Sequence, residues 1–178
     1  MKSISVTRAL SPFSDFSMIP PEVLELASER GTIVHRACAA HALNLYGPII
    51  TPDHFGYYKS FTDWFGDYVA EVYFAESELV DSELGIIGHP DIGIRLTDGR
   101  RLIVDLKTPA VEAPTWKAQT AGYVHLANRR YGPCFFEGGM ALRLKKDGGK
   151  AKATVYKNTP ADFALFLSAL NCWRGFKA

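Results

Sequence analysis

Residues Gly88–Thr108 read GHPDIGIRLTDGRRLIVDLKT. IGIRL and RLIVDLK are aliphatic, β-branched runs, the composition of strands with a buried face. Between them stands Thr97-Asp98-Gly99, and Asp-Gly supplies the positive φ of a tight hairpin turn. Asp91 opens the first strand; Asp105 and Lys107 lie near the end of the second. Period-two geometry puts Asp105 and Lys107 on one face. A fold at Asp98-Gly99 brings Asp91 back beside them. Two carboxylates and an amine then converge at one end of a sheet. Like charges at close range repel and resist burial, so the arrangement is costly unless a metal ion sits between them.

Upstream of this hairpin, residues 1–20 are polar and turn-rich. Pro21 suits the first turn of a helix. Val23, Leu24, Ala27, Ile33, Val34, Ala37 and Cys38 then recur at helical spacing as far as Gly47-Pro48, and Gly31 leaves open one helix or two. His35 lies within this stretch. Residues 48–57 read as a loop, and Tyr58, Phe61, Trp64, Phe65 and Tyr68 as one face of a helix over 57–68. Residues 69–89 read as one or two strands with a turn near Asp81-Ser82, carrying Glu71, Glu76 and Glu78. Downstream, a loop over 108–115 leads to a helix from Trp116, on which Gln119 and Tyr123 share a face at i, i+4. ALRL and ATVYK form a second hairpin about Lys146-Asp147-Gly148-Gly149. Thr159 caps the last helix, Pro160 opens it, and Phe163, Phe166, Leu167, Leu170 and Trp173 give it an apolar face. No repeat, linker or low-complexity tract divides the 178 residues. One α/β (α+β) domain over 1–178 is expected, a central mixed β-sheet flanked by helices.

Composition narrows the class. No apolar run reaches the length of a membrane span, and MKSISVTRALSPF has no apolar core of a secretory signal, so a soluble protein is expected. Cys38, Cys134 and Cys172 form no CxxC pair. They read as buried free thiols in a reducing, cytoplasmic compartment, and an iron–sulfur cluster or zinc ribbon has no support. Net charge is only +1, yet residues 1–89 carry −7 and residues 90–178 carry +8. Arg100, Arg101, Arg129, Arg130, Arg143, Lys145, Lys146, Lys150 and Lys152 supply much of the positive half. Such asymmetry points to a polyanionic partner, with solvated turns and edge strands as the plainer explanation.

RGTIVH on a helix, Gly-His-Pro-Asp on a strand, Asp-Leu-Lys on the next and QTAGY on a following helix together resemble the PD-(D/E)XK nuclease superfamily, in its RecB-type and phage-exonuclease branch. The resemblance covers roughly residues 20–130 and implies a restriction-endonuclease-like core. It assigns His35, Asp91, Asp105, Lys107, Gln119 and Tyr123 to the site, with Glu78 as the match for a further strand glutamate. It also implies a metal site of His35, Asp91, Asp105 and the backbone carbonyl of Leu106. Carboxylate oxygens suit Mg²⁺ or Mn²⁺, and an imidazole admits Mn²⁺. Lys107 would then orient or deprotonate the attacking water, or offset charge on the transition state.

The implied activity is a metal-dependent DNA nuclease, an exonuclease ahead of an endonuclease, in recombination, repair or phage DNA processing. Its partner would be DNA, as single strands or duplex ends. The basic half, including Arg100, Arg101, Arg129 and Arg130, would hold phosphates, and Trp116 could stack on a base. A recombination protein, a helicase or further copies of the chain would fit as partners; no P-loop is present to drive a fused motor. Two other readings stand beside this one: a catalytically silent nucleic-acid-binding or assembly subunit of the same fold, and a metal hydrolase that ignores DNA.

Overall fold

The structure, a computed structural model, describes residues 3–14, 18–109, 111–157 and 160–177. In chain order the elements are β1 (Ile4–Ser5), α1 (Val6–Leu10), a 3₁₀ turn (Ser11–Phe13), α2 (Pro21–Ala42), α3 (Pro52–Tyr68), β2 (Val69–Ala75), β3 (Leu79–Asp81) and β4 (Ile86–Gly88). Then come β5 (Ile92–Leu96), β6 (Arg101–Lys107), α4 (Trp116–Tyr131), β7 (Gly138–Arg143), β8 (Lys152–Tyr156) and α5 (Pro160–Lys177). Five strands form a mixed sheet in the order β2-β5-β6-β7-β8, in which β6 and β7 are parallel and the other pairs antiparallel. A small second sheet has the order β1-β4-β3. The architecture is α+β, with mixed sheets flanked by helices.

The central strands are aliphatic without a break because both faces are covered. On one face Ile92, Ile94, Leu96, Leu102, Val104 and Leu106 pack with Val34 and Cys38 of α2 and Tyr57, Phe61 and Trp64 of α3. On the other, Ile103 packs with Tyr123, Val124 and Leu126 of α4, Phe166 and Leu170 of α5, and Val6 and Leu10 of α1. A Cβ at Gly139 would meet Thr120 Cβ at 2.5 Å, so this glycine lets α4 lie close on β7.

The β5–β6 hairpin forms as its sequence predicts. Gly99 has φ +93°, and its N–H donates to the Leu96 carbonyl. The first 20 residues do more than their polarity suggests. Ser5 Oγ caps α1 through Arg8 N–H at 3.1 Å, and Val6, Ala9 and Leu10 are buried. A five-residue helix is too short to show a period, and tertiary packing carries it. α3 starts at Pro52, five residues before the expected point, because the proline sits at a helix N-terminus rather than in a loop. Residues 69–89 hold three strands, and Asp81 Oδ1 closes the turn after β3 by accepting Glu83 and Leu84 N–H. Of the cysteines only Cys38 is buried; Cys134, in the turn after α4, and Cys172, on α5, are exposed free thiols. The Thr159 cap lies outside the described residues. Among the described residues no helix is long and apolar enough to cross a membrane.

α2 runs unbroken through Gly31, where an added Cβ would meet nothing within 4 Å. A mid-helix glycine costs about 0.5–1 kcal/mol relative to alanine. Gly31→Ala is therefore expected to raise the melting temperature by roughly 1–4 °C in calorimetry. A fall would reveal a close contact at this position.

Candidate metal centre

Strand pairing Ile92↔Val104 places Asp91 and Asp105, one step further on, side by side across β5 and β6. Both are buried. Asp91 is held on two sides: its Oδ1 lies 3.1 Å from His35 Nδ1 on α2, and its Oδ2 accepts the Leu106 N–H at 2.6 Å. Its carbonyl accepts the Glu76 N–H at 2.8 Å, just past β2. Glu76 has φ +47°, a left-handed conformation that a side-chain-bearing residue rarely adopts. That strain presents its carboxylate to the same point, and single ligand atoms of His35, Glu76 and Asp91 lie within 4.8 Å of one another. These residues line a cleft of about 420 Å³ with Ser28, Gly31, Thr32 and Arg36 of α2.

A second network continues from Asp105. Lys107 Nζ stands 2.5 Å from Asp105 Oδ2 and donates to Gln119 Oε1 at 2.9 Å. Gln119 Nε2 donates to Tyr123 Oη at 3.3 Å and, at a long 3.5 Å, to Asp105 Oδ1. The i, i+4 spacing on α4 does bring Gln119 and Tyr123 together over the Asp-Leu-Lys strand. Trp116 is buried, with its ring 5.3 Å from Lys107 Nζ, so it walls the ammonium rather than offering a face to solvent.

The charges are out of balance within the protein. Burial pushes the Asp105 carboxyl above its ordinary range, the Lys107 ammonium pulls it back, and the Asp91 charge raises it again. Burial also works against Asp91, but the His35 charge and hydrogen bond and the Leu106 N–H hold its carboxyl below the usual range. Burial and the Asp91 charge raise Glu76. Burial keeps the Tyr123 phenol protonated well beyond its ordinary range. Asp105 Oδ2 is buried against the Lys107 ammonium at 2.5 Å. Two carboxylates buried side by side are what a divalent cation would satisfy. The donor set of carboxylate oxygens and one imidazole suits Mg²⁺ or Mn²⁺.

The other expected residues fall elsewhere. Glu78 pairs with the exposed His89 at 3.3 Å, and Glu76 takes the place beside Asp91. Alternation does not separate the two, since both share one parity; the bend at Glu76 decides. Leu106, expected to offer its carbonyl, does lie at the site, where its N–H donates to Asp91 Oδ2. Arg100 pairs with Asp98 at 2.7 Å in the hairpin turn, and Arg101 with Glu137 at 3.8 Å, both at the end of β6 away from Lys107. Arg129 pairs with Glu83 at 3.0 Å and stands 3.7 Å from Asp81, which His125 also contacts at 2.7 Å, so it clamps α4 to the small sheet. Arg130 stacks over Tyr131. No family model and no curated protein matches this chain; what it does has to be read from the site itself.

Burial works against a charge on His35, but Asp91 overrides it and raises the imidazole from 6.5 to about 9. A folded value above the unfolded one stabilises where the proton is bound. The contribution is complete below pH 6.5 and is lost as pH rises through about 9. NMR titration of the metal-free protein is expected to place His35 near 9, and saturating Mn²⁺ or Mg²⁺ to displace its proton. A value near 6.5 would contradict the Asp91 pairing.

Proposed function

We propose that this chain is a metal-dependent deoxyribonuclease of the PD-(D/E)XK type, with a restriction-endonuclease-like core, acting on DNA ends or single strands. The observation that carries the reading is the buried Asp91–Asp105 pair, with His35 and Glu76 gathered at Asp91 and Lys107 at Asp105. Two buried carboxylates repel and resist desolvation, a cost that is steepest at Asp105. A divalent ion converts it into a site. Asp91, Asp105, His35 and Glu76 would hold Mg²⁺ or Mn²⁺, which supplies Lewis-acid polarisation of a phosphate and a more acidic water.

The chain's own groups complete the chemistry. Lys107 stands beside Asp105 and donates from a position fixed by Gln119 and Trp116. From there its ammonium orients the attacking water and offsets charge developing on the phosphoryl oxygens. Gln119 acts through Lys107 and Asp105, so it is a positioning residue. Tyr123 accepts its amide N–H and keeps the amide turned toward Asp105.

The test is incubation with end-labelled single-stranded, blunt duplex and closed circular DNA, each with Mg²⁺, Mn²⁺ or EDTA. Loss of linear DNA alone, only with a metal, is the expected result and marks an exonuclease. Cutting of circles would make it an endonuclease. Retention of DNA without cutting under either ion would move the chain to the binding-subunit reading.

A further inference from the structure

The strand order sets five charged residues side by side at the sheet edge that carries the site: Glu76 after β2, Asp91 before β5, Lys107 ending β6, Arg143 ending β7 and Lys152 opening β8. Lys107 pairs with Arg143, and Arg143 with Lys152. Partners in one register row project from the same side of a sheet, so these three cations share the face of Asp105. The β7–β8 loop begins at this edge, with Leu144 N–H on the Lys107 carbonyl at 2.8 Å, and it carries Lys145, Lys146 and Lys150. Its one acid, Asp147, is used within the turn, where Oδ1 accepts Gly149 N–H at 2.9 Å. The edge therefore grades from acidic to basic, and Lys152 stands two strands, about 10 Å, from Lys107.

Partnering divides the cations further. Arg95, Arg100, Arg101 and Arg129 lie within 4 Å of Glu71, Asp98, Glu137 and Glu83. Among the described residues Lys146, Lys150 and Lys152 form no ion pair, and all three are exposed. Unneutralised like charges on one short loop repel each other in the free protein, and a polyanion relieves this.

We propose that a nucleic-acid strand passes from the site over β7 and β8, its phosphates held by Lys146 and Lys152 without reading of base sequence. This inference rests on the nuclease reading. It replaces Arg100, Arg101 and Arg129 as phosphate contacts with lysines that are free to make them.

The test is fluorescence anisotropy of a labelled single-stranded oligonucleotide with Ca²⁺ in place of Mg²⁺, over a salt series. The Lys146→Gln/Lys152→Gln variant is expected to bind several-fold more weakly, with the log–log salt slope reduced by about 1. Its melting temperature and its hydrolysis of bis(p-nitrophenyl) phosphate should match the parent. Arg100→Gln/Arg101→Gln should bind as the parent does. Parent-like affinity and slope in the lysine variant, or equal loss in the arginine variant, would overturn the path and leave the nuclease reading intact. A parent that neither binds nor cuts DNA with any divalent ion would remove both.

Discussion

Asp105→Asn is expected to lose DNA cleavage by roughly 10³-fold or more, while the metal-free protein becomes more stable. The first effect follows from removing a carboxylate proposed to hold the metal, which also faces Lys107 at 2.5 Å. The second follows from the same geometry. Burial and the Asp91 charge raise the Asp105 carboxyl. A carboxylate whose folded value lies above its unfolded one opposes folding wherever it is ionised. The amide removes that cost and can still accept from Lys107. Thermal melting in EDTA should show the variant above the parent, and added Mn²⁺ should narrow or reverse the gap by stabilising the parent alone. A variant that melts below the parent in EDTA would mean that Asp105 is a structural ion-pair partner.

Asp91→Ala is expected to lose cleavage to a similar extent, but with the opposite effect on stability. Asp91 accepts the Leu106 N–H at 2.6 Å and faces His35 at 3.1 Å. Its removal leaves a buried N–H without an acceptor and an imidazole without its charge partner. That costs about 2–4 kcal/mol, or roughly 5–15 °C in melting temperature for a chain of this size. The sign of the pH dependence agrees. The Asp91 carboxyl is lowered despite burial, by His35 and Leu106. Its contribution is present above the unfolded carboxylate range and is lost as pH falls through the folded value. The parent should therefore lose stability in acid faster than Asp91→Ala, measured by melting temperature against pH. Parallel curves would contradict the pairing. Two neighbouring carboxylates, equally needed for cleavage and opposite in stability, separate ligand from scaffold.

Much of the site was readable because its rules are local. Period two fixes Asp105 and Lys107 to one face, Asp98-Gly99 fixes the fold-back that returns Asp91, and i, i+4 spacing fixes Gln119 with Tyr123. His35 was readable only as one residue of an ordered set, since its helix lies 56 residues from Asp91 in sequence. Glu76 was not separable from Glu78, because the choice rests on a left-handed bend that no composition announces. Charge counting does not separate partnered from unpartnered cations. Arg100, Arg101 and Arg129 are as basic as any residue in the chain, and only the folded structure reveals that acids already partner them. The α1 segment, five residues long, has no period to read and forms because the sheet and α5 bury it.

The most direct measurement compares the parent and Asp105→Asn on one end-labelled linear DNA, with Mn²⁺ and with EDTA. The predicted result is degradation by the parent in Mn²⁺, none in EDTA, and none by a variant that melts at or above the parent. Degradation by Asp105→Asn at the parent's rate, or by the parent in EDTA, would contradict a metal-dependent nuclease centred on Asp91 and Asp105.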